Sequence, residues 1–257
     1  MAFKSKRGSQ ISGRWAVEIT GHEFDCLELV RLLAEQDPSV VVGQEGSYYL
    51  VGSILERGAD PSEVQRFAGE IVELINGLAP TIWPDFEPVA VGSHVLDAAS
   101  GRRSVAVAVG HSTARCRAHF VATVVGPDGQ EKPDPGRGAL GNLLEIGCID
   151  PLVQRAVAFL SRRNCTWFDL YSVLEVLEED LGQPASKAGI CSRNQRSRFT
   201  RTANSYSILG VHARHGRTQA LPPPNPMTFR EARIFVLGLM KAWLAAKTAS
   251  HQAPSVE

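Results

Sequence analysis

No stretch of this sequence approaches the about 20 consecutive apolar residues that a membrane-crossing helix requires. The basic start, Met1-Ala2-Phe3-Lys4-Ser5-Lys6-Arg7, is not followed by an apolar segment, so a secretory leader is not expected. Cysteine is sparse. Cys26, Cys116, Cys148, Cys165 and Cys191 are scattered, odd in number and form no CxxC pair. They read as free thiols in a reducing cytoplasm rather than as a disulfide framework. A Walker loop, HExxH, GxSxG and a GxGxxG opening a helix are all missing, which removes the commonest nucleotide, zinc-protease and hydrolase signatures. The one metal-like spacing, His111-x4-Cys116-x2-His119, lies in a segment that reads as strands. There the thiol has opposite parity to both imidazoles, so no metal and no cofactor are expected.

What is present is a globular composition, with 44% hydrophobic and 21% charged residues, enough to bury a core and too apolar for a disordered chain. Arg14–Thr20 alternates as a strand does. Phe24, Leu27, Val30 and Leu33 then recur at helical spacing over 23–35. Val40-Val41-Val42 and Tyr48-Tyr49-Leu50-Val51 flank a Gly-bearing turn and predict a hairpin. Asp60, Pro61 and Glu63 predict a helix start. Val64, Phe67, Ala68, Ile71, Val72 and Ile75 form its apolar stripe, with Gly77 and Pro80 as its expected end. Three strands are expected at about 87–96, 103–110 and 115–125. A polar, turn-rich segment begins at Gly126.

Beyond it the period is helical. Asp150-Pro151 opens a helix to about 163, and Thr166 caps another over 167–181 with Phe168, Tyr171, Leu174 and Leu177 on its apolar side. A third is expected over 193–204. Thr228-Phe229-Arg230-Glu231 is a capping box that opens the last helix, which frays from Thr248. The expected fold is therefore α+β: an N-terminal antiparallel sheet with helices on one face, then a C-terminal domain resembling a four-helix bundle. The divisions are 1–126 for the first domain, 127–149 for a linker or loop, 150–246 for the helical domain and 247–257 for a flexible tail.

Charge is sorted along the chain. Residues 1–150 carry 13 basic and 20 acidic side chains, whereas 151–257 carry 14 and 7. From Leu181 to Arg230 there is no Asp or Glu, but there are seven arginines: Arg193, Arg196, Arg198, Arg201, Arg214, Arg217 and Arg230. The guanidinium fork matches phosphate and carboxylate oxygens and keeps its charge, so an RNA or nucleotide partner is the first expectation. Pairing with the acidic helix just before, or with the acidic N-terminal half, is the alternative. The candidate ligand-binding residues are Arg193, Arg196, Arg198, Arg201, Asn204 and Arg217. His212, Arg214 and His215 are the candidate catalytic residues, since imidazole moves protons near neutral pH.

The run Arg198-Phe199-Thr200-Arg201-Thr202-Ala203-Asn204, then His212-Ala213-Arg214-His215-Gly216-Arg217, a Pro-bearing loop and a capped helix with an early Glu-Ala pair resembles HEPN-type domains over residues 150–246. That resemblance implies a small helical bundle of the kind found in prokaryotic toxin and phage-defence proteins, and in many members a metal-independent endoribonuclease. The family pattern of Arg, four to six residues and His is not met here. Ten residues separate Arg201 from His212, and Arg214 and His215 are adjacent. Non-catalytic members bind nucleotides or partners, and such bundles often pair, so a homodimer is expected. Three readings stand open: an anion-binding regulatory or defence-related protein, a metal-independent endoribonuclease, and a non-catalytic scaffold for a protein partner. The expected location is cytoplasmic, with no membrane partner.

Overall fold

The computed structural model describes residues 13–43, 46–105, 136–214 and 221–252. The expected strand at 115–125 and the His111/Cys116/His119 group lie outside the described residues. The chain divides into two compact units. One comprises residues up to Val72 together with Phe86–Gly141; the other comprises Glu73–Asp85 with Asn142 onward.

The first unit is built on a five-stranded antiparallel sheet. Its strands are β1 (Trp15–Thr20), β2 (Ser39–Val42), β3 (Tyr48–Val51), β4 (Ala90–Asp97) and β5 (Arg102–Val105), in the order β2-β3-β1-β4-β5. Two short-turn hairpins, β2–β3 and β4–β5, thus flank β1 on either side. Trp15, Val17 and Ile19 alternate along β1 and are almost completely buried. The register between β1 and β4 breaks between Val17 and Ile19, so that Glu18 faces the segment from Gly92 to His94. This bulge is filled by polar contacts: Glu18 Oε2 lies 2.6 Å from His94 Nδ1, and Gln65 Nε2 donates to the Gly92 carbonyl.

Two helices accompany the sheet. α1 (Glu23–Leu32) is shorter than its apolar spacing predicts, because the chain turns through Glu35 at φ +63°. α2 (Pro61–Ile82) starts where the sequence says. Asp60 Oδ1 accepts from the Ser62 and Glu63 amides, and Glu63 Oε2 accepts from Ala59 N. It does not stop at Gly77. A Cβ there would lie 2.6 Å from Val157 Cγ1 and 2.9 Å from the Val157 carbonyl oxygen, so this glycine serves close helix packing. Pro80 lies inside the same helix, near its end.

The second unit is helical: α3 (Gly141–Ile149), α4 (Pro151–Leu160), α5 (Trp167–Leu181), α6 (Arg193–Ala203), α7 (Tyr206–Leu209) and α8 (Phe229–Gln252). The linker expected over 127–149 therefore contains a helix, which Leu144 and Ile146 anchor by burial. The tail expected from 247 is helical to Gln252, because Lys247 Nζ holds Asp150 Oδ2 at 2.6 Å and Asp180 Oδ1 at 3.0 Å. Trp243 Nε1 also donates to Asp180.

The core of this unit is aromatic. Phe199 of α6 is fully buried, with ring centroids of Trp167, Tyr171 and Phe235 at 6.1, 6.0 and 5.4 Å. Of the expected apolar side of α5, Leu174 and Leu177 are buried but Phe168 is 51% exposed; Trp167, Leu170 and Val173 complete the buried face. The fold is α+β, with a mainly helical C-terminal region. No helix among the described residues is long and apolar enough to cross a membrane.

Candidate anion-binding surface

α6 starts at a capping box. Ser192 Oγ accepts from Gln195 N while Gln195 Oε1 accepts from Ser192 N, so the helix begins directly at Arg193. Its geometry then sorts the arginines by face. Positions 193, 197 and 201 recur every fourth residue, and all three are exposed. Positions 196 and 198 turn toward neighbouring elements, with side chains only 29% exposed.

Those two inward arginines are committed. Arg196 forks onto Glu178 of α5, Nε to Oε1 at 2.5 Å and Nη2 to Oε2 at 2.6 Å. These hydrogen bonds drive the guanidinium pKa above its ordinary value. Arg198 donates to the Asn225 and Pro226 carbonyls and to Glu231 Oε1 at 3.0 Å. Glu231 also caps α8 by accepting from Thr228 N. That bond first, and Arg198 second, hold its carboxyl below the usual range.

Arg214 is also engaged. Its Nη2 meets Glu175 Oε1 at 2.6 Å, its guanidinium lies 4.0 Å from the Tyr171 ring centroid, and its amide donates to the Ala203 carbonyl. The carboxylate of Glu175 neutralises this guanidinium and the Tyr171 ring covers one face, which weighs against the charge-stabilising role expected of it. His212 ends a short 3-10 turn, Gly210–His212, and is exposed. His215 and Arg217 lie outside the described residues, so the expected catalytic trio is described only in His212 and Arg214.

Arg201 and Arg193 are different. Among the described residues Arg201 donates to carbonyls, those of Leu221 at 3.2 Å and Pro222 at 2.8 Å, which bring no opposing charge. Among the described residues neither Arg193 nor Arg201 has a carboxylate within ion-pair distance. Asn204 closes α6; its amide reaches the Thr200 carbonyl, while its buried Oδ1 has no hydrogen-bond partner among the described residues. Among the described residues the arginines therefore do not converge into one pocket. Arg196, Arg198 and Arg214 meet carboxylates, whereas Arg193 and Arg201 stand about 12 Å apart along one open face, given the helical rise.

The partners are Glu175, Glu178, Tyr171 and Glu231. Pairing with the acidic helix just before the carboxylate-free stretch was the alternative the sequence offered, and Arg196 and Arg214 follow it. Thr202 was missed by sequence reasoning. It is fully buried, donates to the Arg198 carbonyl and accepts from Met227 N at 3.1 Å, fixing the chain ahead of α8.

Cysteine chemistry finds little support. Burial first, then Asp25 and Glu23, push the Cys26 thiol up to about 12. Burial first, then Asp169, push Cys165 up to about 11. Neither supplies a thiolate near neutral pH. Among the described residues, no group of three or more His, Cys, Asp or Glu is placed to hold a metal ion. Comparison with protein-family models, with curated proteins and with solved structures found no match.

Proposed function

We propose that the helical unit is a binding module for a phosphate-bearing partner, RNA or a nucleotide, engaged through the exposed face of α6. The observation that carries this reading is the pair Arg193 and Arg201: two permanent charges on one face, with no acidic neighbour at ion-pair distance among the described residues. Ser197 lies between them and offers a hydroxyl on the same side. Regulation or defence by binding, in the manner of non-catalytic HEPN-type proteins, follows as the broader role. A metal-independent ribonuclease is less favoured, because Arg214 is held by Glu175 and Tyr171.

Fluorescence anisotropy with labelled RNA and with nucleotides across a salt series tests the proposal. Affinity should fall linearly in log–log form, and Arg193→Ala and Arg201→Ala should each lower the slope by about 1. Absence of binding at low salt to every RNA and nucleotide would end it. Incubation of RNA in EDTA separates binding from cleavage: intact RNA fits the module, whereas cleavage abolished by His212→Ala restores the enzyme.

A further inference from the structure

The C-terminal end of α6 carries more than charge. Tyr206 and Ile208 of α7 are 40% and 43% exposed, and Val211 and Leu221 are 84% and 80% exposed. Chain continuity and hydrogen bonds at the end of α6 draw them toward one place. α7 begins three residues after Ala203, the last residue of α6. Arg214 N bonds to the Ala203 carbonyl, which brings the 3-10 turn bearing Val211 back to that helix end. Arg201, in the last turn of α6, holds the carbonyls of Leu221 and Pro222. An aliphatic tip is thus set near Arg201, which has no carboxylate partner among the described residues, with exposed His212 adjoining Val211.

We infer that this tip docks on an anionic lipid surface, Arg201 and Arg193 meeting phospholipid headgroups while Val211, Leu221 and Ile208 enter the acyl boundary. The inference rests on the reading of α6 as a phosphate-binding face and names a second bearer of the phosphate. Two observations favour a bilayer over a docked peptide. Val211 and Leu221, four-fifths or more exposed, protrude rather than line a groove, and a fluid apolar phase accepts protruding side chains where a folded segment needs a concavity. Three of the four are aliphatic, which suits hydrocarbon better than stacked bases, and the adjoining charge is of the sign that anionic headgroups require. Peripheral docking needs no spanning helix. It therefore replaces the sequence-based expectation of no membrane partner without conflicting with the absence of an apolar span.

The test is co-sedimentation of the full chain with vesicles of phosphatidylglycerol in phosphatidylcholine, against phosphatidylcholine alone. Binding should need the anionic lipid. It should weaken about fivefold for Arg193→Ala and again for Arg201→Ala, and by about tenfold or more for the Val211→Ser/Leu221→Ser double variant. These apolar residues are exposed, so the double variant should keep its circular dichroism spectrum and its affinity for RNA. No binding to anionic vesicles, or binding unchanged by the double variant, overturns the inference. RNA binding without vesicle binding overturns it while leaving the proposed function standing. Vesicle binding that depends on both residue sets, without RNA binding, supports it and removes the RNA reading.

Discussion

Arg196 and Glu178 offer the sharpest separation between arginines that hold the fold and arginines left for a ligand. The pair makes two charge-assisted hydrogen bonds, 2.5 and 2.6 Å long, between side chains 29% and 17% exposed. Bonds to charged groups contribute about 1.5–3 kcal/mol each when well sheltered. Partial exposure and screening reduce this, so Arg196→Ala should cost about 1–2 kcal/mol. Glu178→Ala should cost more. Glu178 Oε1 also accepts from the amide of Ala185 at 2.8 Å, and Ala185 is fully buried. Stranding that amide adds about 1–3 kcal/mol. Urea denaturation of Arg196→Ala, Glu178→Ala and the double variant, followed by circular dichroism, measures both costs and a coupling expected near 1 kcal/mol. RNA anisotropy on Arg196→Ala should show unchanged affinity, whereas Arg193→Ala should weaken binding. If Arg196→Ala leaves stability untouched and loses as much affinity as Arg193→Ala, the division of the arginines into ties and ligand contacts is refuted.

Three further outcomes are expected. Phe199→Ala empties the centre of the aromatic cluster and should destabilise the helical unit by about 3–5 kcal/mol, read by near-ultraviolet circular dichroism and urea midpoint. Gly77→Ala places a methyl against the Val157 backbone and should cost about 1–3 kcal/mol by the same urea assay, whereas an alanine at an open helix position would stabilise. Burial raises the pKa of Asp150, but hydrogen bonds from Lys247 and from the Val153 and Leu152 amides outweigh it and leave the carboxyl below its ordinary 3.8. A depressed carboxyl contributes stability above its unfolded pKa and loses it as pH falls through the folded value. Acid denaturation below about pH 4 should therefore be blunted in Asp150→Asn, which is less stable at neutral pH to begin with.

Much of the fold is written in short-range signals. The β2–β3 hairpin needs only two β-branched or aromatic runs around a glycine-bearing turn. The starts of α2, α4, α5 and α8 are set by caps within four residues of each helix. What resisted reading depends on distant partners. Gly77 is a helix breaker by propensity, yet Val157, 80 residues on, makes it a packing residue. The helix at Gly141–Ile149 sits where composition reads as loop, and burial of Leu144 and Ile146 holds it. The same applies to the site. An Asp- and Glu-free stretch is visible in sequence, but whether its charge is neutralised is not. Arg198 meets Glu231 33 residues away, and Arg214 meets Glu175 39 residues away. Only helical phase, read against the positions of those acids, separates Arg193 and Arg201 from the rest.

A segment rich in proline is poor in backbone donors, and the stretch before α8 contains Pro222, Pro223, Pro224 and Pro226. It has few amides with which to fasten itself, that of Met227 on Thr202 being one. Its carbonyls at 221, 222, 225 and 226 are gripped by the forks of Arg201 and Arg198. One helix of eleven residues thereby acts as a peg for a strap up to 28 positions downstream. Exchanging either guanidinium for the single ammonium of lysine would trade a planar grip on two carbonyls for a point contact, slackening the entry to the last helix without touching any hydrophobic residue.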